Sequence, residues 1–234
     1  MKHVLFPAAL SICAAAAPAL ADERVFDLAG FTEVSAGSGL DVEITQGDDF
    51  SVTAEGTSRA LKRLDIETRG DRLVIEQQSR GLERFSPLMR AFGDEVVVRV
   101  TLPELTAVTA SAGSDVTATG SATGAFTAEA SSGADLELDG IDAARVTLSA
   151  SSGAALEATG RCDALETQAS SGADLDARDL PCDSADATAS SGASIQLTAE
   201  TVQAKASSGA SVDVWGAETI EAEESSGGDV DVKG

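Results

Sequence analysis

The 234-residue sequence has no tyrosine, no asparagine, one histidine and three cysteines, and only 3% of its residues are aromatic. Positive charge is also scarce: Lys and Arg number 16 against 39 Asp and Glu, a formal charge of −23. Each shortage excludes something. A chain this acidic has no phosphate-neutralising surface for DNA or RNA, and anionic lipid should repel it. The single histidine is His3, so histidine-based catalysis is excluded if the first residues are removed as a leader. With so few rings, the 43% hydrophobic content comes mainly from Ala and small aliphatics. That suits many thin, repeated layers better than one large aromatic core.

Residues 1–21 read as a secretory signal peptide. Lys2 and His3 precede an apolar, small-residue run from Val4 to Ala17, and Ala19-Leu20-Ala21 is an A-x-A cleavage site before Asp22-Glu23. A rival reading makes Cys13 a lipid-modified cysteine, but Ile12 stands where a small residue is wanted. The run is too short and Ala-rich for a retained span, and no later stretch could cross a bilayer. Cleavage would leave 15 basic against 39 acidic residues, with two cysteines, Cys162 and Cys182. The expected location is the periplasm or the cell surface. An even cysteine pair in an exported chain suggests a disulfide.

From residue 111 the chain repeats itself. Ser-(Ser/Ala)-Gly recurs with glycine at Gly113, Gly133, Gly153, Gly172, Gly192, Gly209 and Gly227, spaced by 20, 20, 19, 20, 17 and 18 residues. Periods of this size signal stacked repeats. Three residues after the glycine stand Val116, Leu136, Leu156, Leu175, Ile195, Val212 and Val230. Five after it stand Ala118, Leu138, Ala158, Ala177, Leu197, Val214 and Val232. Polar residues alternate with these, which is the pattern of a half-buried strand and leaves no room for the helix of a leucine-rich or helical repeat. A second strand precedes each glycine, as in residues 126–130 and 146–150, and Asp139-Gly140 and Thr159-Gly160 read as turns between strands.

Such a unit cannot bury its inward side chains alone, but stacked at about 4.8 Å per strand the aliphatic ladders close into one narrow core. The expected fold is therefore all-β, a parallel β-solenoid with coils of about 20 residues. Residues 101–234 would form about seven coils, roughly 30 to 35 Å long at that spacing. Cys162 and Cys182 each lie ten residues before a motif glycine. They share a phase of adjacent coils and fall within bridging range; two unpaired small core residues are the alternative.

Residues 22–109 keep the same grammar less exactly. Leu40 to Ile44, Phe50 to Val52, Leu64 to Ile66, Leu73 to Ile75 and Val96 to Leu102 read as strands, with turns at 47–49 and 70–71. This part is expected to open the same sheet system and to cap it with larger residues, so that 22–109 and 110–234 form one continuous domain. Ser79 to Gly93 breaks the pattern with Leu82, Phe85, Leu88, Met89 and Phe92 beside three arginines. It reads as a capping loop or short amphipathic helix, or else as a partner-binding element.

The exported start, Phe31, the segment 37–47 (Gly-Ser-Gly-Leu-Asp-Val-Glu-Ile-Thr-Gln-Gly), Leu73-Val-Ile75 and the Ser-Ser-Gly-Ala-Asp-Leu repeats together resemble a bacterial family. It is described as putative auto-transporter adhesin, head GIN domain. The resemblance covers nearly all of residues 25–232. It implies a right-handed parallel β-helix on an exported protein, with no agreed catalytic residues. The absence of Asn departs from the family pattern, so any role of asparagine in relatives falls here to Ser, Asp or nothing.

If the +3 and +5 residues point inward, the +2 and +4 residues point out. Asp115, Asp135, Asp174 and Asp229 occupy +2; Glu137, Glu157, Asp176, Asp213 and Asp231 occupy +4. These carboxylates are candidates for binding divalent cations, most naturally Ca²⁺, between coils. The competing and preferred reading is a solvated acidic face that keeps an edge-rich protein soluble. The Ser-Ser pairs are expected to form hydroxyl ladders at a corner. A nucleophilic serine would lack a histidine base once the leader is removed.

An enzyme acting on acidic polysaccharide would need basic residues, yet residues 101–234 hold five against 23 acids. Trp215 could serve as a sugar platform, although a lone strand aromatic is more often packing. The expectation is a non-enzymatic exported scaffold, adhesin-like, binding an envelope or surface partner, protein or glycan, through its repetitive acidic face. A carbohydrate-active β-helix enzyme is the alternative. A third reading is purely structural assembly, with end-to-end self-association through a C-terminal coil that shows no obvious cap.

Overall fold

Each Ser-Ser-Gly motif builds a corner. In Ser131-Ser132-Gly133-Ala134 the second serine has φ 56°, the glycine φ 69°, and the Ala134 N–H donates to the Ser131 carbonyl at 3.2 Å. Two successive left-handed residues closed by that bond make a type I′ turn. The same pair of positive φ values recurs at every motif copy, with Ala112 in the first, and also at Ser38-Gly39. Type I′ turns favour Asn-Gly; in this chain without asparagine, Ser or Ala takes the first left-handed position. Backbone groups carry the ladder from corner to corner. Gly133 N–H donates to Ser152 O at 3.1 Å, Gly153 to Ser171 O at 3.2 Å, and Gly172 to Ser191 O at 3.1 Å. The expected hydroxyl ladder is thus replaced by a main-chain one, because the left-handed pair aims the glycine amide up the stack. Hydroxyls contribute at the corner of residues 111–114, where Ser111 and Ser114 donate to Ala36 O.

The computed structural model describes residues 22–78, 96–120 and 124–233. The signal peptide read over 1–21 and the Ser79–Gly93 segment lie outside the described residues. In chain order the first strands are β1 (Asp22–Phe26), β2 (Glu33–Ala36), β3 (Asp41–Gln46) and β4 (Ser51–Gly56). A one-turn helix α1 (Ser58–Leu61) leads to β5 (Leu64–Arg69) and β6 (Arg72–Gln77). Then come β7 (Val96–Leu102), β8 (Ala107–Ala110), β9 (Asp115–Thr119) and β10 (Ala125–Ala130). Four long strands bend around the stack: β11 (Asp135–Ser151), β12 (Ala155–Ser170), β13 (Asp174–Ala189) and β14 (Ser194–Ser207). The chain closes with β15 (Ser211–Trp215), β16 (Thr219–Ser225) and β17 (Asp229–Lys233).

All seventeen strands belong to one continuous sheet. From β8 onward every pairing is parallel and like residues stack: Val116 on Leu136, Leu156, Leu175, Ile195, Val212 and Val230 in turn. The +3 and +5 residues up to Val214 are all buried, so the alternation read from the sequence is the inside-outside pattern of a β-solenoid of about six turns. Seven motif corners delimit six windings, which is why the coil count falls one short of the motif count. The sites read as turns at Gly140 and Gly160 are bends within β11 and β12, where the register shifts between Leu138 and Ile141. Gly160 has φ 133°, and a Cβ there would collide with the Ile141 backbone, so the bend needs glycine.

The N-terminal third departs from simple winding. β4 runs antiparallel to both β1 and β7, and β5 forms an antiparallel hairpin with β6. Rung order is also not chain order. β2 and β3 sit between β6 and β7 on one side and β8 and β9 on the other. The chain lays down the β2–β3 coil, builds the end of the stack beyond it, and returns to continue from the opposite side. Phe31 and Phe50 meet edge to face at 5.0 Å between centroids, and α1 buries Ala60 and Leu61.

At the other end the inward pattern fails: Val230 is only partly buried and Val232 is 51% exposed, because no further described rung covers them. Glu224 stands in register with inward Ala206, and its carboxylate accepts the Val230 N–H at 3.0 Å.

Candidate functional site

The disulfide expected from phase is present. Cys162 and Cys182 pair directly across β12 and β13 with Cα atoms 4.6 Å apart and a sulfur–sulfur bond. In the ladder it lies between Ala143 and Ala199, with buried Leu180 two residues before Cys182. Beside it Arg161 reaches across to Asp142, its ladder partner on the adjacent strand, donating Nε at 3.0 Å and Nη2 at 2.5 Å. Those hydrogen bonds hold the Asp142 carboxyl below the usual carboxylate range.

The nine candidate carboxylates all belong to the strands that follow the corners, and they divide into two groups. Asp115, Asp135, Glu137, Glu157, Asp174 and Asp176 surround a shallow concavity of about 370 Å³. Asp115 stacks on Asp135, and Glu137 on Glu157 and then Asp176. The other three, Asp213, Asp229 and Asp231, lie on β15 and β17, where Lys233 bridges Asp213 at 3.2 Å and Asp231 at 2.7 Å. Burial pushes the Asp176 carboxyl up, but hydrogen bonds from the Arg178 side chain and amide outweigh it and leave the group below its ordinary value. Among the described residues no three His, Cys, Asp or Glu side chains converge to hold a metal ion.

The strands that precede the corners carry a different surface. Glu129, Ser149, Gln168 and Thr188 line a shallow groove of about 310 Å³, bounded by the first serine of successive corners. It is a hydroxyl and amide surface with one carboxylate.

Trp215 lies outside the hydrophobic core. It occupies the +6 position of its coil, paired with Thr198 on one side and Lys233 on the other, and is partly exposed rather than in the core. The signal for this was in the sequence, since an even offset from the motif glycine points outward, as +2 and +4 do. The +6 column reads Thr119, Asp139, Thr159, Arg178, Thr198, Trp215 and Lys233, so it carries two of the five basic residues of the repeat. Thr198 donates its hydroxyl to the Arg178 carbonyl at 2.8 Å, and the Arg178 guanidinium lies 5.7 Å from the indole centroid. With Asp179 these residues enclose an open concavity of about 340 Å³.

Among the described residues no helix is long and apolar enough to cross a membrane. No curated protein matches the sequence. The fold is shared with solved structures of low identity. A putative adhesin from Bacteroides fragilis is 13% identical with a TM-score of 0.80, covering 91% of this chain and 97% of its own. A putative adhesin from Parabacteroides merdae is 11% identical with a TM-score of 0.70, covering 93% and 98%. A putative lipid binding protein from Parabacteroides distasonis is 13% identical with a TM-score of 0.67, again covering 93% and 98%. The family described as "Putative auto-transporter adhesin, head GIN domain" matches residues 30–217, and the chain belongs to that family.

Proposed function

We propose that the protein is an exported, non-enzymatic module of the periplasm or cell surface that binds an envelope or surface partner, protein or glycan, in the manner of an adhesin. The observation that carries this reading is the in-register stacking of outward side chains on a rigid core, which presents a partner with fixed columns at the strand spacing of about 4.8 Å. The leader-like residues 1–21 and the disulfide support export. Shallow grooves and serines with no histidine in residues 22–234 favour binding over turnover. The acidic surface disfavours anionic lipid as the partner.

The test is retention of labelled protein on intact bacterial cells and isolated envelopes. Saturable retention, competed by unlabelled protein, is expected, and protease or periodate treatment of the cells then separates a protein partner from a glycan. Retention that never saturates overturns the reading. Release of reducing sugar in a polysaccharide hydrolysis screen would replace it with a β-helix enzyme. Assembly through the C-terminal rung is the weaker alternative, since Glu224 puts a charge in the inward column of the last described rung, a device that opposes strand addition.

A further inference from the structure

We propose that the concavity formed by Trp215, Thr198, Arg178 and Asp179 is a carbohydrate subsite that takes a neutral pyranose unit. The inference rests on the binding-module reading above and names a ligand class and a place for it.

The indole is the starting point. It is the only tryptophan in the chain, and it sits on an outward column whose other members are polar or charged. Core packing does not account for it, because the inward positions of β15 are filled by Val212 and Val214. A flat apolar ring beside polar groups on an otherwise acidic surface suits a ligand with one apolar face and a hydroxylated rim, which describes a pyranose.

The polar groups around it have the matching chemistry. Arg178 gives Nε and Nη2 to Asp176, which fixes the guanidinium over one face of the indole and leaves Nη1 to donate to a sugar hydroxyl. Asp179, exposed at the rim, supplies an acceptor. Thr198 is held by its bond to the Arg178 carbonyl and keeps its oxygen lone pairs for a further donor.

Charge selects among sugars. The two cations flanking the indole are each bound by an acid two residues earlier on the same strand, Arg178 by Asp176 and Lys233 by Asp231. The site therefore offers no surplus positive charge to a uronate or a sialic acid, and the neighbouring carboxylates repel both. A neutral sugar meets neither penalty.

The chain carries its own reporter. With one tryptophan and no tyrosine, intrinsic emission comes from Trp215. Purified protein is titrated with maltotriose, cellotriose and triacetylchitotriose, and with trigalacturonate as the anionic control. At least one neutral trisaccharide should shift the emission to the blue and shield the indole from acrylamide, saturably at millimolar concentration. The Asp179→Ala and Thr198→Val variants, which keep the indole, should weaken that response about tenfold while the strand circular dichroism is unchanged. The proposal is overturned if all three neutral sugars leave the emission unmoved, if trigalacturonate binds as well as they do, or if both variants respond like the parent. Trp215→Phe in the cell-retention assay separates the two readings. Retention that survives this substitution leaves the adhesin-like reading intact without the subsite, whereas parent protein that shows no saturable retention sinks the broader reading first.

Discussion

Thr167 shows how strictly the interior treats a single atom. It stacks between Leu148 and Ala187, is 1% exposed, and its hydroxyl finds no hydrogen-bond partner. The other described residues in that column, from Val108 to Ala204, are apolar. A buried hydroxyl left unpaired costs about 1 to 3 kcal/mol. Valine has nearly the same shape without that group, so Thr167→Val should stabilise the protein by about 1 to 2 kcal/mol. For a chain of this length each kcal/mol moves Tm by about 2 to 4 °C. Thermal melts followed by circular dichroism at equal protein concentration check this. A lower Tm for the variant would mean that the hydroxyl is satisfied, by a water or a shifted neighbour. The corner serines illustrate the converse case, in which a residue adopts φ near 55° because the corner-to-corner amide ladder rewards it.

Adjacent coils are the elements of this fold, and the bridge between β12 and β13 tests how they are joined. Closing a loop of 20 residues removes chain entropy worth about 3 kcal/mol. The Cys162→Ala, Cys182→Ala double variant should therefore lose about 2 to 3 kcal/mol and keep its strand spectrum, since each coil is also held by its neighbours. Denaturant melts with and without reductant measure it, and a midpoint indifferent to reductant would show that the thiols are not bridged in solution. The bridge was legible in the sequence because a period fixes phase, and phase fixes which residues stack. The same logic placed Leu136 and Val212 inside, Asp135 outside, and would have placed Trp215 outside had parity been carried to the sixth residue. The N-terminal elements were not legible in this way. Alternation in Ser51–Gly56 is the same whether β4 pairs parallel or antiparallel, and nothing local to Val96–Leu102 records that it pairs with Asp41–Gln46 on one side and Ser51–Gly56 on the other. At the far end Val232 obeys the alternation and is still exposed, because burial depends on the next rung and not on the residue.

On the scale of the whole molecule, the core and the surface pull in opposite directions. The core is continuous, whereas the strands that follow the corners stack Asp115 on Asp135 and Glu137 on Glu157 and Asp176. Two like charges about 5 Å apart cost about 0.8 kcal/mol in water. Arg178 offsets one of these acids and Lys233 joins two others, so the remaining repulsion is about 1 to 2 kcal/mol over the adjacent pairs. Screening should recover most of it, since the Debye length falls from about 30 Å at 0.01 M to about 3 Å at 1 M salt. Raising NaCl across that range at neutral pH is expected to lift Tm by a few degrees. The same experiment separates a solvated acidic face from a calcium site. If the carboxylates act only as a charged surface, CaCl₂ at matched ionic strength should move Tm little more than NaCl does, with at most a small excess from divalent screening. A much larger rise at millimolar CaCl₂, reversed by chelator and abolished in a Glu137→Gln, Glu157→Gln variant, would mean that the columns bind the ion between coils. The acidic face would then be a second ligand surface, beside the concavity at Trp215.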